Sequence, residues 1–492
     1  MKSMQRLGVL GVLALVSCAT SSGPGDGASG PGTGDAAPRG DAEAGGFDVG
    51  GGLDTGALGD TTIGDTSGDS AGDSAGGKDV GPGDVTTDGV ALDTAPPADA
   101  GATFGTTCGA TGAPKVSGVS LAPNGVDPVP TSEVYAPIVV NAFPAGVTCD
   151  TCDKPIDTYW VQTRSATDGT FTLDLSAVPA STAVKIAVRK GRFRKVVSIA
   201  PECGKTTALS AAQTTLPGTT PTGDDSMPKI AVGTGNSDHL DTILAALGVH
   251  TFDCYEGRKT AAANCPSAEA TGKRVSALLT DATSLNGYNL LFLSCAPGVW
   301  SSYTAADQAT IATNLKAWVD AGGRLIATDQ SYDYVSQPWP DDIAWQGPAG
   351  PPWAAGTTSG GGANVGLSPT SPATSYSATV DDTPLSDWLK LVGVTTAPTV
   401  DISGWLNHWS VQKSLPTTST QIAHGTVSYQ YPSTAAATSE ALPLTSEFVK
   451  NKCGRVIYSS YHTLSGVSAG SLTAQERILE YLMLEVASCL RG

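Results

Sequence analysis

Four apolar runs of this chain stop on residues that could do chemistry. LIATDQSY, residues 325–332, breaks off at Thr328, Asp329 and Gln330, YNLLFLSC ends on Cys295, VIYSSYHT ends on His462 and Thr463, and IAVGTGNSDH ends on His239. One carboxylate and one imidazole suffice for general-base catalysis on a water. Asp329 and His462 are therefore the candidate catalytic pair, for a hydrolase acting on a carbohydrate or an amide. Cys295 is the rival nucleophile, but attack requires a thiolate, and a thiol buried among apolar groups is usually inert. Gln330 and His239 are candidate ligand-binding residues. His239 could add a metal ligand to Asp329 and His462, but the gaps between them follow no metal-site spacing, and GTG alone is no phosphate loop. No metal or cofactor is expected. The favoured reading is plainer: Asp329 and His462 form a hydrogen-bonded polar pair that satisfies loop backbone groups.

The elements that must position these residues alternate between strand and helix. MPKIAVGTG reads as a buried strand, followed by a helix that begins near Asp238 and carries Leu240, Ile243, Leu244 and Leu247. After YNLLFLSC comes a helix with a Thr304 and Asp307 capping pair, Ile311, Leu315, Trp318 and Val319 on one face, and Gly322 as its stop. LIATDQ, VIYSSYHT and a closing helix from about Leu472 to Cys489 complete the set. This alternation predicts a doubly wound, mainly parallel α/β sheet, whose ligands bind outside the carboxyl ends of the strands. A long loop from Gln337 to Gly366 carries Trp339, Trp345 and Trp353, Trp300 follows CAPG, and Trp405 and Trp409 flank Asn407 and His408. Indole faces suit sugars, so Trp300, Trp339, Trp345, Trp353 and Trp409 are candidate ligand-binding residues. The bland alternative, which we favour, has them capping the core beneath their own loops.

Between Cys108 and Cys203 the period is two. Phe171, Leu173 and Leu175 share one side of TFTLDL, and Val184, Ile186 and Val188 share one side of VKIAVRK, with Lys185 and Arg189 on the other. Proline and glycine punctuation separates such strands, and an antiparallel β-sandwich follows. It holds a basic cluster of Lys185, Arg189, Lys190, Arg192, Arg194 and Lys195. The expectation is a charged solvent face that protects a strand edge; the alternative is contact with an anionic envelope polymer or with the chain's own acidic segment.

That acidic segment lies between Ser21 and Gly105, where fifteen acidic residues face only Arg39 and Lys78, and it accounts for most of the formal charge of −18. Rich in Gly, Asp and Ser and nearly free of aromatics, it cannot bury enough apolar surface to order itself, and it reads as a self-repelling spacer. Nucleic acid is excluded as a partner, since the folded remainder lacks a basic footprint of the kind that neutralises phosphates. Lys2 and Arg6 precede the apolar run LGVLGVLALV, which is too short to span a bilayer and suits a secretory leader. Export permits disulfides. Cys149 and Cys152 form a CDTC motif, Cys254 and Cys265 are close in sequence, and Cys453 and Cys489 flank the last strand and helix. These six are the disulfide candidates, with connectivity left open; a structural role for CDTC is preferred over zinc or redox chemistry.

Three resemblances sharpen this picture. Leu15, Val16, Ser17 and Cys18 resemble a bacterial lipobox, which implies cleavage before Cys18, its acylation, and a membrane partner reached through the lipid; Ala19 behind it implies the outer membrane or cell surface. VSGVSLAPNG, APIVVNAF, TDGTFTLDL and VKIAVRKGRF, within residues 114–205, resemble the carboxypeptidase regulatory-like domain, which implies binding or spacing. YNLLFLSCAPG, AGGRLIATDQSYD and GRVIYSSYHT, within 228–490, resemble the class I glutamine amidotransferase-like fold, including its ThuA-like branch, which would place a nucleophile at Asp329 and the catalytic histidine at His462. That family's elbow needs a cysteine between glycines, whereas Ala327, Thr328, Asp329, Gln330 and Ser331 supply neither. The resulting layout is a leader at 1–17, a lipidated spacer at 18–105, a sandwich at 106–207, a linker at 208–227 and the α/β region at 228–492. The expected function is non-catalytic binding of a glycan or envelope component at the cell surface, with a structural spacer as a further alternative. Oligomeric state stays open.

Overall fold

The computed structural model describes residues 101–492 apart from 153–154, 236–237, 258–264, 266–272, 297–298, 347–363, 367–374, 405–407, 431–435, 465–470 and 491–492. The leader, Cys18, the acidic spacer, Trp353 and Trp405 lie outside the described residues. Among those described, no helix is long and apolar enough to cross a membrane.

The first seven strands are β1 Lys115–Val119, β2 Glu133–Val139, β3 Thr158–Arg164, β4 Thr170–Asp174, β5 Val184–Lys190, β6 Phe193–Ile199 and β7 Thr206–Ala208. They form a sheet of order β4-β1-β7 and another of order β3-β2-β5-β6. All pairs are antiparallel except β1 with β7. Alternation works as the sequence predicts: β4 buries Phe171 and Leu173 and exposes its threonines. These meet Val134, Ile186 and Val188 of the other sheet in one apolar core. Cys108 and Cys203 are bonded across the ends of this region, a pair absent from the six candidates.

The basic cluster departs from expectation. Lys185 is exposed and Lys195 half-buried; Arg189, Lys190, Arg192 and Arg194 are buried. Arg189 pairs with Glu133 at 3.1 Å and Asp150 at 2.8 Å, Arg194 with Asp157 at 2.8 Å, and Lys190 with Glu485 at 2.7 Å. Charges are removed from water only when paired and hydrogen-bonded, and here the carboxylates come from the start of β2, from the segment between β2 and β3, and from the end of the C-terminal helix. The face that alternation assigns to solvent is thus exposed at Lys185 and internal at Arg189, so no continuous charged solvent face runs along the strand.

The next strands are β8 Ile230–Thr234, β9 Asp253–Glu256, β10 Leu290–Leu293, β11 Arg324–Thr328, β12 Ala344–Trp345, β13 Asn364–Gly366, β14 Ser375–Val380, β15 Thr399–Ser403, β16 His408–Ser410, β17 Gln412–Ser414, β18 Ser419–Tyr429, β19 Thr438–Lys450 and β20 Gly454–Ser459. Nine form one sheet of order β15-β14-β18-β19-β20-β11-β10-β8-β9. From β9 to β20 the strands are parallel, and from β20 to β15 antiparallel. The expected mainly parallel sheet is therefore mixed. A short connection joins β18 to β19, which permits only antiparallel pairing, whereas parallel neighbours need a crossover. The parallel half is doubly wound. Leu290, Phe292, Ile326 and Ile457 face one core with the helices Leu240–Ala246 and Ala474–Val486, while Leu291, Leu325, Ala327 and Val456 face a second core with Val275–Thr280 and Ala305–Asp320.

Residues 208–227, expected as a linker, are packed instead. Ser210 and Gln213 form a capping box, Leu216 is buried and donates its N–H to Leu121 O, and Asp225 binds Lys195. All described residues belong to one compact unit. Where the β5–β6 turn meets the C-terminal helix, Gly191 holds φ at +57°, and a Cβ there would stand 1.7 Å from Ala487 O, so only glycine fits. The CDTC motif joins the two regions. Rather than closing on itself, it is split between Cys149–Cys453 and Cys152–Cys489. Cys254 bonds Cys265, and Cys295 is the free thiol among the described cysteines.

The two inter-region bonds close loops of 304 and 337 residues, but each does so while the other still holds the ends together. Removing one alone is expected to cost about 2–4 kcal/mol, and removing both more than the sum of the single losses, because only the double variant opens the large loop. Urea midpoints of Cys149→Ala/Cys453→Ala, Cys152→Ala/Cys489→Ala and the quadruple variant measure this; additive losses would reject it.

Candidate functional site

Parallel strands leave their carboxyl ends without ladder partners, so polar groups collect there. In this sheet they collect on Asp238, which sits between β8 and its following helix and is buried. Its Oδ1 accepts from the backbone N–H of His239 at 3.0 Å and of Thr463 at 2.9 Å. Its Oδ2 accepts from Cys295 N at 3.4 Å and from the Thr328 hydroxyl. One carboxylate thereby binds the segments that follow β8, β10 and β20 and the last residue of β11. The sequence reading placed Asp238 at a helix start and missed this role. The signal that could have found it is an acid between a buried strand and a helix, with His239 as the actual helix cap.

Asp329 directly follows β11 and is 1% exposed. Its φ is +39°, a region unfavourable for a residue with a Cβ. Its backbone carbonyl is pinned by Tyr332 N at 3.0 Å and by the Tyr458 hydroxyl at 2.8 Å. Both carboxylate oxygens are engaged: Oδ1 accepts from Ser410 N at 2.9 Å and Oδ2 from the Cys295 thiol at 3.5 Å. Burial pushes its pKa up to about 6, and the nearby His462 charge and these donors only partly offset that.

The structure brings Asp329, Cys295, Gln330 and His462 together. The Cys295 thiol is held well above its ordinary pKa, first by burial and then by the charges of Asp329 and Asp238, while Gln330 N–H points at its sulfur. In this arrangement the thiol is a hydrogen-bond donor to Asp329. His462, 6% exposed, donates from Nδ1 to Thr463 O at 2.7 Å. His239 joins through its backbone, which also donates to the Thr463 hydroxyl at 2.8 Å. Among the described residues the atoms of Glu133, Cys152 and Cys489 converge like metal ligands, but both sulfurs are spent in a disulfide.

Four of the five candidate tryptophans fall among the described residues. Trp300, Trp339, Trp345 and Trp409 are all buried. Trp300 meets Tyr334 edge-on at 5.3 Å, Trp339 meets Phe448 at 5.5 Å, and Trp345 meets Tyr458 at 4.7 Å, so the indoles pack the core and offer no open platform. Trp345 still bears on the site, because the Tyr458 it supports holds the Asp329 carbonyl. Trp409 lies in β16, beside the Ser410 N–H that engages Asp329.

No family model matches this chain, and no curated protein matches it.

Asp238→Ala would strand buried donors on several segments and is expected to lower stability by about 3 kcal/mol or more, read from urea unfolding; a loss within experimental scatter would show that the donors find other partners. Asp329 gives a pH signature. Its folded pKa of about 6 exceeds the unfolded value of about 3.9, so its favourable contribution is complete below pH ~4 and lost as pH rises through ~6. Asp329→Asn cannot titrate. Its stability relative to the parent should rise by roughly 2 kcal/mol between pH 4 and pH 7, and parallel pH profiles would refute the assignment.

Proposed function

We propose that this chain is a non-catalytic, lipid-anchored cell-surface binding protein. On this reading Cys18 carries the lipid, the acidic segment spaces the folded part from the membrane, and that part combines a carboxypeptidase regulatory-like sandwich with an amidotransferase-like α/β region that lacks the family nucleophile. The observation that carries the proposal is the state of Asp329. The residue at the nucleophile position is buried, and both its oxygens are occupied by Ser410 N and the Cys295 thiol. Covalent attack would require those contacts to break, and a general base must reach a water or substrate proton within hydrogen-bond distance. Buried indoles remove stacking on Trp300, Trp339, Trp345 or Trp409 as the binding mode, so recognition is assigned to polar and charged groups elsewhere.

The rival hydrolase reading would use Asp329 with His462. Purified protein and His462→Ala are incubated with chromogenic glycosides, amides and esters, and both are expected to match the buffer blank. Turnover in the parent that disappears in His462→Ala would overturn the non-catalytic reading. Incorporation of labelled fatty acid that is lost in Cys18→Ala tests the anchor separately.

A further inference from the structure

A cavity of about 700 Å³ opens where three stretches of chain meet: the loop after β2, the segment 223–229 that enters β8, and the turn before β10. This is the size of a pocket for a small organic ligand. Its chemistry is set by Phe143, whose ring has three guanidinium groups around it, those of Arg189 at 5.3 Å, Arg192 at 5.4 Å and Arg194 at 4.9 Å. Two of the three are neutralised, Arg189 by Glu133 and Asp150 and Arg194 by Asp157.

Arg192 is not neutralised. It is 9% exposed, and its side chain donates to Pro144 O at 2.9 Å and to the Thr148 hydroxyl, both uncharged. Among the described residues no carboxylate lies within ion-pair distance of it. Lys229 on another wall is in the same position, with its ammonium 4.4 Å from the centre of the Tyr288 ring and no bridging carboxylate among the described residues. The two acids that line the cavity are already committed. Asp224 binds Lys185 at 2.7 Å, and Asp225 binds Lys195 at 2.8 Å and Val196 N at 2.9 Å. The walls therefore carry two cations without a carboxylate in ion-pair contact among the described residues, Asp150 acting on Arg192 and Asp253 on Lys229 only at longer range, and in such a recess an incoming anion gains from direct contact with both. Burial lowers the pKa of Arg192, and the more distant Asp150 only partly offsets that.

We propose that this cavity binds an anionic sugar, meaning a hydroxylated ring bearing a phosphate or carboxylate, with the oxyanion held by Arg192 and Lys229. The volume exceeds what an inorganic anion needs, and a guanidinium fork with free N–H groups matches a planar carboxylate or a phosphate edge. The proposal rests on the reading of the chain as a binding protein and names its ligand class. It does not depend on the state of Asp329, so the hydrolysis assay and the binding assay fail independently.

The test is calorimetric titration of the full chain in detergent with glucose 6-phosphate, glucuronate, glucose and inorganic phosphate. Saturable binding is expected for at least one of the two anionic sugars. It should be at least tenfold weaker for glucose and for inorganic phosphate, and weaker as salt rises. Arg192→Gln and Lys229→Gln should each reduce affinity tenfold or more, and Arg192→Lys less than Arg192→Gln. If Arg192→Gln does not fold, Lys229→Gln decides, because among the described residues that side chain makes a ring contact and no ion-pair contact. The proposal is overturned if neither anionic sugar binds in the millimolar range, if inorganic phosphate binds as tightly as both, or if folded Lys229→Gln binds them unchanged.

Discussion

The carboxylate of Asp238 draws together the carboxyl ends of a parallel sheet. Its donors come from residues 239, 295, 328 and 463, which lie far apart in sequence and meet only when β8, β10, β11 and β20 are in register. A buried carboxylate is costly unless each lone pair finds a donor, and charge-assisted bonds are the strong ones. Here three backbone N–H groups and a hydroxyl meet that requirement. An amide could not substitute, because one of its ends would present donors to donors. The loops that carry Cys295, Asp329 and His462 are thus fixed in relation to one another by a neighbour that the sequence analysis did not single out.

The parallel half of the sheet was legible because each of its strands is a short apolar run flanked by a helix with a clear apolar stripe. The antiparallel half was not. TQIAHGTVSY in β18 and EALPLTSEFV in β19 alternate well enough to bury Ile422, Val427, Leu442, Leu444 and Phe448. Polar and proline residues dilute that pattern, and between LIATDQ and VIYSSYHT the sequence analysis assigned only a long loop, from Gln337 to Gly366. The tryptophans there were assigned to both possible roles because residue type alone does not say whether an indole faces a neighbour or solvent. Tyr458 supplies the neighbour for Trp345, and Phe448 the one for Trp339.

A related ambiguity explains the basic cluster and the cysteines. Period two separates the faces of a strand but does not say what covers each face. Lys185 and Arg189 share a face of β5, and the first is exposed while the second is buried against Glu133 and Asp150. The difference is that the C-terminal helix and the 143–152 loop cover only the far end of the strand. The same covering brings Cys453 and Cys489 next to Cys149 and Cys152. Spacing in the sequence suggested a local CxxC unit, yet a bond between distant cysteines needs only Cα atoms about 5 Å apart, as found for both pairs.

Strain at Asp329 has a structural cause that does not require catalysis. A positive φ costs on the order of 1–3 kcal/mol and persists only where the surroundings over-determine it. Here Tyr332 N and the Tyr458 hydroxyl fix the carbonyl, while Ser410 N and the Cys295 thiol fix the carboxylate. A working nucleophile on such a turn would hold its reactive atom toward substrate, whereas this turn directs both oxygens into the protein. The carboxylate then serves β16 as an acceptor for the Ser410 N–H, a buried group that would otherwise lack one. A proton is retained near pH 6 because burial outweighs the nearby His462 charge, so the turn holds its most comfortable state in mild acid. The strained turn, the raised carboxyl and the buried thiol are then one arrangement, which joins β11 to β16.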